Sequence, residues 1–433
     1  MRDNSAYSPQ TAATACRHDT CRHRGGWVLY WAKNPTSGSF TAISSNGDYT
    51  ILIRAKLSIT GGGIIGFMKK AADSGFWRGR RVFVTGHTGF KGGWLCLWLH
   101  LLGAKVGGYA LLPQPAKRAG ADGVFDAVRL GDMLCANTIN DIGDAEGLAR
   151  AVAGFAPEIV FHLAAQPLVI ESYKTPLQTY QTNVCGTANL MHALRDITSI
   201  KAAVIITSDK CYDNAERGRP YCESDALGGR DPYSSSKACA EIVARAMAMS
   251  FLGDIGVATA RAGNVIGGGD WAGDRLIPDI VRMLDGGDSA LRIRNPGAVR
   301  PWQHVLEPLA GYLQLAQYCA ENPKAEVEGW NFGPDEDGAA TVGEVAELMA
   351  QQWGEKLPKG DDDKNNDGDA YYEAKLLHLD ITKAKARLSW KPVLTLPMAV
   401  EMTAKWYKAQ SSGKTNMRDM TLSQIAEYQA AAA

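Results

Sequence analysis

The sequence predicts an α/β protein, a doubly wound parallel sheet with a smaller C-terminal α/β lobe. Three observations carry this expectation. From Phe76 onward, short runs rich in Val and Ile alternate with longer helix-like stretches, the order that gives parallel strands joined by crossover helices. Those short runs are rich in Val and Ile or continuously apolar over most of their length, as strands buried on both faces should be. One of them, RVFVT, feeds directly into a glycine-rich turn and then an apolar helix.

Taken in order, strands are expected at 81–85, 105–111, 158–164, 202–208 and 256–262. Helices should fill 93–102, which stops at Gly103, then 176–196, which opens on a proline suited to a first helical turn, and 232–251. Beyond about residue 263 the pattern loses regularity and gains Gly, Pro and Trp, so 263–420 reads as mainly a substrate-binding lobe and 76–262 as the nucleotide-binding domain. The Trp residues read as packing. Residues 1–67 stand apart, with three acids (Asp3, Asp19, Asp48) and no sustained period of 3.6 or 2. They read as a disordered or mis-annotated leader, with Met68 the natural start of translation.

The 46 basic and 46 acidic side chains balance, leaving no net field to hold a phosphate polymer or an anionic membrane. Neither nucleic acid nor membrane is expected as a partner, and no run of about 18 uncharged apolar residues is present. Nine cysteines without a CxxC spacing fit a reducing cytoplasm. Two clusters invite a metal reading. Cys16, His18, Cys21 and His23 crowd together, and Asp363, Asn365, Asp367 and Gly368 take the early positions of a calcium loop, but Ala374 stands where its twelfth-position carboxylate belongs. No metal is expected.

The turn after RVFVT is Gly86-His87-Thr88-Gly89-Phe90-Lys91-Gly92. In this strand–turn–helix setting, glycines let the backbone approach a pyrophosphate while the helix N-terminus supplies partial positive charge, a Rossmann-type dinucleotide site. Gly86, Gly89, Phe90 and Gly92 are the expected contacts. A carboxylate about 20 residues on usually takes the ribose hydroxyls, yet the second strand ends in Gly-Gly-Tyr-Ala-Leu-Leu (107–112), with no acid before Asp122. The loop alone therefore leaves NAD and NADP open. Asp141 and Ile142, after a possible third strand, are expected to read the adenine edge. Farther on, Tyr233 and Lys237 lie four apart on one helix face. A phenol of pKa near 10 becomes a base at neutral pH if nearby cations lower it by about three units, which takes about 4 kcal/mol.

The series GHTGFKG, HLAAQP, TSDKCYDN and DPYSSSK resembles the extended short-chain dehydrogenase/reductases. With RAGNVIGGGDW, DRLIPD, IRNP, RPWQHVLEP and GWNFGP, the chain is similar, over about 76–409, to the CDP-glucose 4,6-dehydratase group among them. The resemblance implies a bound NAD held by the loop, by Ala164 and Ala165 of HLAAQP, and by Tyr233 and Lys237. Tyr233 would take the proton of a glucose 4-hydroxyl, with Lys237 holding the nicotinamide ribose and lowering the tyrosine pKa. Asp209 and Lys210, following Ser208, would act as acid and base in eliminating water across C5–C6. Asn264, Arg275, Arg294 and Arg300 would bind the nucleotide sugar. A cytoplasmic homodimer making a dideoxyhexose precursor for lipopolysaccharide O-antigen is also implied. A dehydratase for another nucleotide, a 4-epimerase and a non-catalytic dinucleotide sensor remain as alternatives. The Asp-Lys pair sets a structural condition: neighbours on a regular strand face opposite ways, so both reach one sugar only if the strand has ended, and Asp213-Asn214 makes a turn plausible.

Overall fold

The computed structural model describes four strands between residues 21 and 55, then residues 72–113, 121–214, 218–286, 293, 295–323, 326–335, 338–357 and 377–433. Arg294, Cys16, His18, His23 and 361–368 lie outside the described residues. The chain divides into two compact units, Met1–Met68 and Lys69–Ala433. In the first, β1 (Cys21–Arg22), β2 (Val28–Lys33), β3 (Phe40–Ser45) and β4 (Thr50–Ala55) pair in sequence order as an antiparallel sheet. Strands thus stand where the sequence, lacking a regular period, predicts no element.

The second unit is built on seven strands, all parallel: β5 (Arg81–Thr85), β6 (Lys105–Ala110), β7 (Ala136–Ile139), β8 (Ile159–His162), β9 (Ala202–Ile206), β10 (Gly256–Arg261) and β14 (Glu328–Asn331). Their order is β14-β10-β9-β8-β5-β6-β7. The chain winds outward from β5 in one direction through β6 and β7, and from β8 in the other through β9 and β10. The switch point between β5 and β8 opens a crevice at the carboxyl ends of these strands, where ligands bind in such sheets. Alternate residues of β5 serve opposite faces, as the pleat requires. Val82 and Val84 join a core containing Trp94, Trp98 and Tyr428, whereas Phe83 packs with Leu148, Leu190 and Ala244.

The helix expected at 232–251 forms over the whole of that range: Pro232–Phe251 starts behind Asp231, whose carboxylate caps Ser234 N, with Pro232 in the first turn. The stretch 176–196 is instead divided into Pro176–Tyr180, a π turn at Gln181–Cys185 and Gly186–Ala193. The residues of β14 come from beyond residue 262 yet extend the nucleotide sheet, so sheet and lobe interleave in the sequence. The remainder adds β11 (Val265–Ile266), β12 (Val299–Pro301), β13 (Gln303–His304) and β15 (Ala339–Thr341), paired β11 with β13 and β12 with β15. Trp94, on the helix Phe90–Leu101, ties the lobe to the sheet by donating its indole N–H to Gly268 O at 2.9 Å. Trp94, Trp98, Trp330, Trp390 and Trp406 are fully buried, so these rings pack the core. Among the described residues no helix is long and apolar enough to cross a membrane.

Candidate active site

The glycine loop joins β5 to the helix Phe90–Leu101 at the switch point. Gly86 has φ +75°, and a Cβ there would lie 2.7 Å from Ala164 N; a Cβ on Gly92 would lie 2.1 Å from Gly86 O. Only glycine fits at both, because loop, helix and the residues after β8 meet without space for a side chain. Gly89 caps the helix without any side-chain hydrogen bond, so the first-turn N–H groups are left to a ligand. Thr85 Oγ1 lies 2.7 Å from His162 Nδ1 and accepts from Ala164 N at 3.2 Å, which fixes the Ala164-Ala165 segment beside the loop. These features fit a dinucleotide pyrophosphate. Asp141 follows β7, its Oδ1 accepting from Gly143 N. The Ile142 side chain packs in the core against Gly186, and its carbonyl takes a bond from Asn189, which holds the Asp141-Ile142 segment in place.

β9 ends at Ile206, and a 3-10 turn spans Asp209–Cys211. The condition set by the Asp-Lys pair is therefore met earlier in the chain than Asp213-Asn214 suggests. Ser208 caps the turn, accepting from Lys210 N and donating to Asp209 Oδ1 at 2.9 Å. Lys210 Nζ lies 3.3 Å from the same oxygen. Asp209 is fully buried, and its Oδ2 has no hydrogen-bond partner. A buried acceptor left open in this way is costly unless a ligand meets it.

Tyr233, on the helix Pro232–Phe251, is buried close enough to Ser208 for that hydroxyl to act on its phenol. Burial pushes its pKa up to about 12, against the pull of Ser208 and Arg275 and with Asp209 adding to the rise. The expected depression by Lys237 is absent from the protein alone. Lys237 Nζ instead donates to Ile206 O at 3.2 Å, and burial lowers that lysine to about 8 despite the attraction of Glu241 one turn on. Glu241 is held by Arg261 through two bonds of 2.9 and 2.8 Å and by Thr207 and Thr259. This buried ion pair anchors the helix Pro232–Phe251 to β10 and to Thr207 just beyond β9, and removing either partner alone would strand a charge in the core.

The lobe supplies the far side. Arg275 pairs with Asp270 at 2.7 Å while acting electrostatically on Tyr233. Asn264 has φ +51°, its carbonyl accepting from Gln303 N, and its Oδ1 is buried without a partner. Arg300 is buried in β12, close in sequence to Gln303. Several contributors carry no motif of their own. Lys91, inside the glycine loop, is lowered to about 7, first by burial, then by Arg275, with Asp209 opposing and Lys237 and Lys210 adding. Gln303 Oε1 and Tyr312 OH are further buried polar atoms without partners, and Tyr312 senses both Tyr233 and Asp209. Asn183, in the π turn, links Gln166 to Ser236 on the catalytic helix. None has a local sequence signal beyond its polarity. Arg275, Lys237 and Lys210 all act electrostatically on Lys91, a concentration of positive charge that suits an anionic ligand.

Gly263 provides a direct check on this geometry, since a Cβ there would fall 1.8 Å from Asp209 Oδ2. Gly263→Ala is expected to displace the carboxylate and lower kcat by about a hundredfold or more, the lower range for loss of an acid. Steady-state turnover and a melting curve on the same sample check it.

Fold, glycine loop and Tyr-x-x-x-Lys helix define a nucleotide-binding enzyme of the extended short-chain dehydrogenase/reductase class. A family model described as GDP-mannose 4,6 dehydratase matches residues 83–403, and the chain belongs to that family. It is 47% identical over 366 residues to CDP-glucose 4,6-dehydratase of Salmonella typhimurium, covering 83% of this chain and 99% of that protein. In fold it is similar to dTDP-glucose 4,6-dehydratase of Bacillus anthracis in complex with NAD, with TM-score 0.61, 21% identity, and coverage of 76% and 96% of the two chains. UDP-glucose-4-epimerase of Stenotrophomonas maltophila, with bound NAD and formylated UDP-arabinopyranose, superposes with TM-score 0.63 at 22% identity, covering 77% of this chain and 99% of that one.

Proposed function

We propose that this protein is an NAD-dependent dehydratase converting CDP-D-glucose to CDP-4-dehydro-6-deoxy-D-glucose and water. The observation that supports the reading is the Ser208-Asp209-Lys210 turn, in which the part-buried Lys210 pairs with the fully buried Asp209, close enough to Tyr233 for Asp209 to act on its phenol. An epimerase has no oxygen to expel and leaves that pair without a task. The extent of identity to the Salmonella typhimurium relative supports the choice of CDP-glucose.

Gly86, Gly89, Phe90, Gly92, Asp141, Ala164, Ala165, Tyr233 and Lys237 would hold the NAD, with Ile142 packed beneath. When bound, its oxidised nicotinamide supplies a transient hydride acceptor and a positive charge beside the phenol. Moving Tyr233 from about 12 to neutrality takes about 7 kcal/mol, more than Ser208 and Arg275 provide within the protein alone. Tyr233 is therefore a phenol at rest and a base only in the loaded site. There it takes the 4-hydroxyl proton as C4 is oxidised. The resulting 4-ketone acidifies the C5 proton, which neutral Lys210 accepts, while protonated Asp209 gives its proton to the departing C6 hydroxyl. This leaves Lys210 protonated and Asp209 ionised, the ion pair seen in the structure. As C6 regains the hydride, Lys210 returns its proton to C5, and the proton held by Tyr233 passes by way of the Ser208 hydroxyl to Asp209, which resets all three groups. Asn264, Arg275 and Arg300, with Arg294, would hold the nucleotide diphosphate.

Purified protein incubated with NAD and CDP-, dTDP-, GDP- and UDP-hexoses should remove one water from CDP-glucose alone, read by mass spectrometry. Loss from another nucleotide sugar instead would reassign the substrate, and loss from none would overturn the dehydratase reading.

A cytoplasmic homodimer completes the proposal. On the catalytic helix Ile242 and Met249 are 57% and 67% exposed, and Leu177 on the adjoining helix is 69% exposed, an apolar surface that a second copy would cover. Light scattering should give twice the chain mass. The product would serve dideoxyhexose synthesis for lipopolysaccharide O-antigen.

A further inference from the structure

We infer that the end of β6 leaves the adenosine ribose 2′ position unguarded, so that the site accepts NADP⁺ as well as NAD⁺, with Leu112 the residue responsible. The inference rests on the dinucleotide reading proposed above.

In sheets of this winding, the residue closing the strand after the glycine loop approaches the adenosine ribose, where a carboxylate accepts from the 2′-hydroxyl and repels a 2′-phosphate. β6 occupies that place. It pairs in parallel with β5, Gly86 N donates to Tyr109 O at 2.9 Å, and Thr88 Oγ1 donates to Leu111 O at 2.8 Å. The loop is thus bonded directly to the end of β6. Leu111 and Leu112 come next in the chain, 53% and 67% exposed at the carboxyl edge of the sheet. Neither side chain accepts a hydrogen bond or carries charge, and the sequence holds no acid from Lys105 up to Asp122.

The carboxylates that follow the next strand belong to other turns of the chain, each bonded to its own local backbone. Asp141 binds Gly143 N through Oδ1, and Asp144 is occupied by Gly147 N and Asn140 Nδ2. Two exposed leucines at a polar ribose site also gain little from burial in a folded chain. The strand end thus lacks a group that separates the two cofactors, while the loop presents backbone N–H groups to the pyrophosphate they share.

The test is calorimetric titration of the full chain, freed of nucleotide, with NAD⁺ and NADP⁺ separately, for the parent, Leu112→Asp and Leu112→Asn. The parent should bind NADP⁺ within about twentyfold of NAD⁺. Leu112→Asp should raise the ratio of the two dissociation constants by about tenfold or more, as a carboxylate beside a dianion requires, and the uncharged Leu112→Asn should leave it within about threefold. Because the leucine is exposed, neither change threatens folding. Discrimination beyond twentyfold in the parent, or equal effects of Leu112→Asp on both nucleotides, would overturn the inference while leaving the dinucleotide site intact. Binding of neither nucleotide would overturn both.

Discussion

Tyr233→Phe is expected to lower kcat for dehydration of CDP-glucose by about 10²–10⁴-fold, with KM changed only a few-fold. The substitution removes one oxygen from a side chain that is 8% exposed and leaves the ring packing in place. Ser208 keeps its bonds to Asp209 and Lys210 N, so the turn survives. The variant loses the phenol placed against Ser208, and with it the route for the 4-hydroxyl proton. The melting temperature should stay within a degree or two. Activity within tenfold of the parent would show that another group takes that proton and that the catalytic helix has been misread.

Asp209→Asn should stop the reaction at a different point. Asn has nearly the same shape, can accept from Ser208, and occupies the space that Gly263 leaves open. It has no proton to give a departing hydroxyl, so water loss should slow by about 10²–10⁴-fold. Oxidation at C4 and removal of the C5 proton do not need the carboxylic acid. In deuterium oxide, CDP-glucose recovered from this variant should therefore carry deuterium at C5 although little has been dehydrated. Lys210→Met should give neither exchange nor water loss. Exchange surviving in Lys210→Met would make the lysine an electrostatic support for the enolate rather than the base.

Much of this site is legible in the sequence because its chemistry depends on local backbone. Gly86 and Gly92 sit where a Cβ cannot, directly between an apolar strand and an apolar helix. Tyr233 and Lys237 lie on a helix whose start is written in Asp231 and Pro232. The strands β5, β9 and β10 read clearly because they are buried on both faces and mostly apolar. The features that are not legible share a cause, which is that the deciding partner is remote in sequence. β14 is four residues long and acquires its place only from pairing with β10, which precedes it by some seventy residues. Lys91 reads as an ordinary polar residue of a first helical turn until the fold brings Arg275 and Asp209 within electrostatic reach of it. The tyrosine pKa moves opposite to expectation because Lys237 is engaged by Ile206 O and burial outweighs the remaining cations. Arg261, Glu241, Tyr212 and Asn331 form one buried network drawn from separate stretches of chain, and no window of the sequence contains it.

The central claim is that one site oxidises C4, eliminates across C5–C6 and returns the same hydride to C6. CDP-glucose labelled with deuterium at C4 tests it most directly, with the product examined by mass spectrometry and NMR. The expected product is a 4-keto-6-deoxy sugar that has lost one water and carries the deuterium in its C6 methyl group. Recovery of the label in solvent, or of a sugar epimerised at C4 with no water lost, would contradict it.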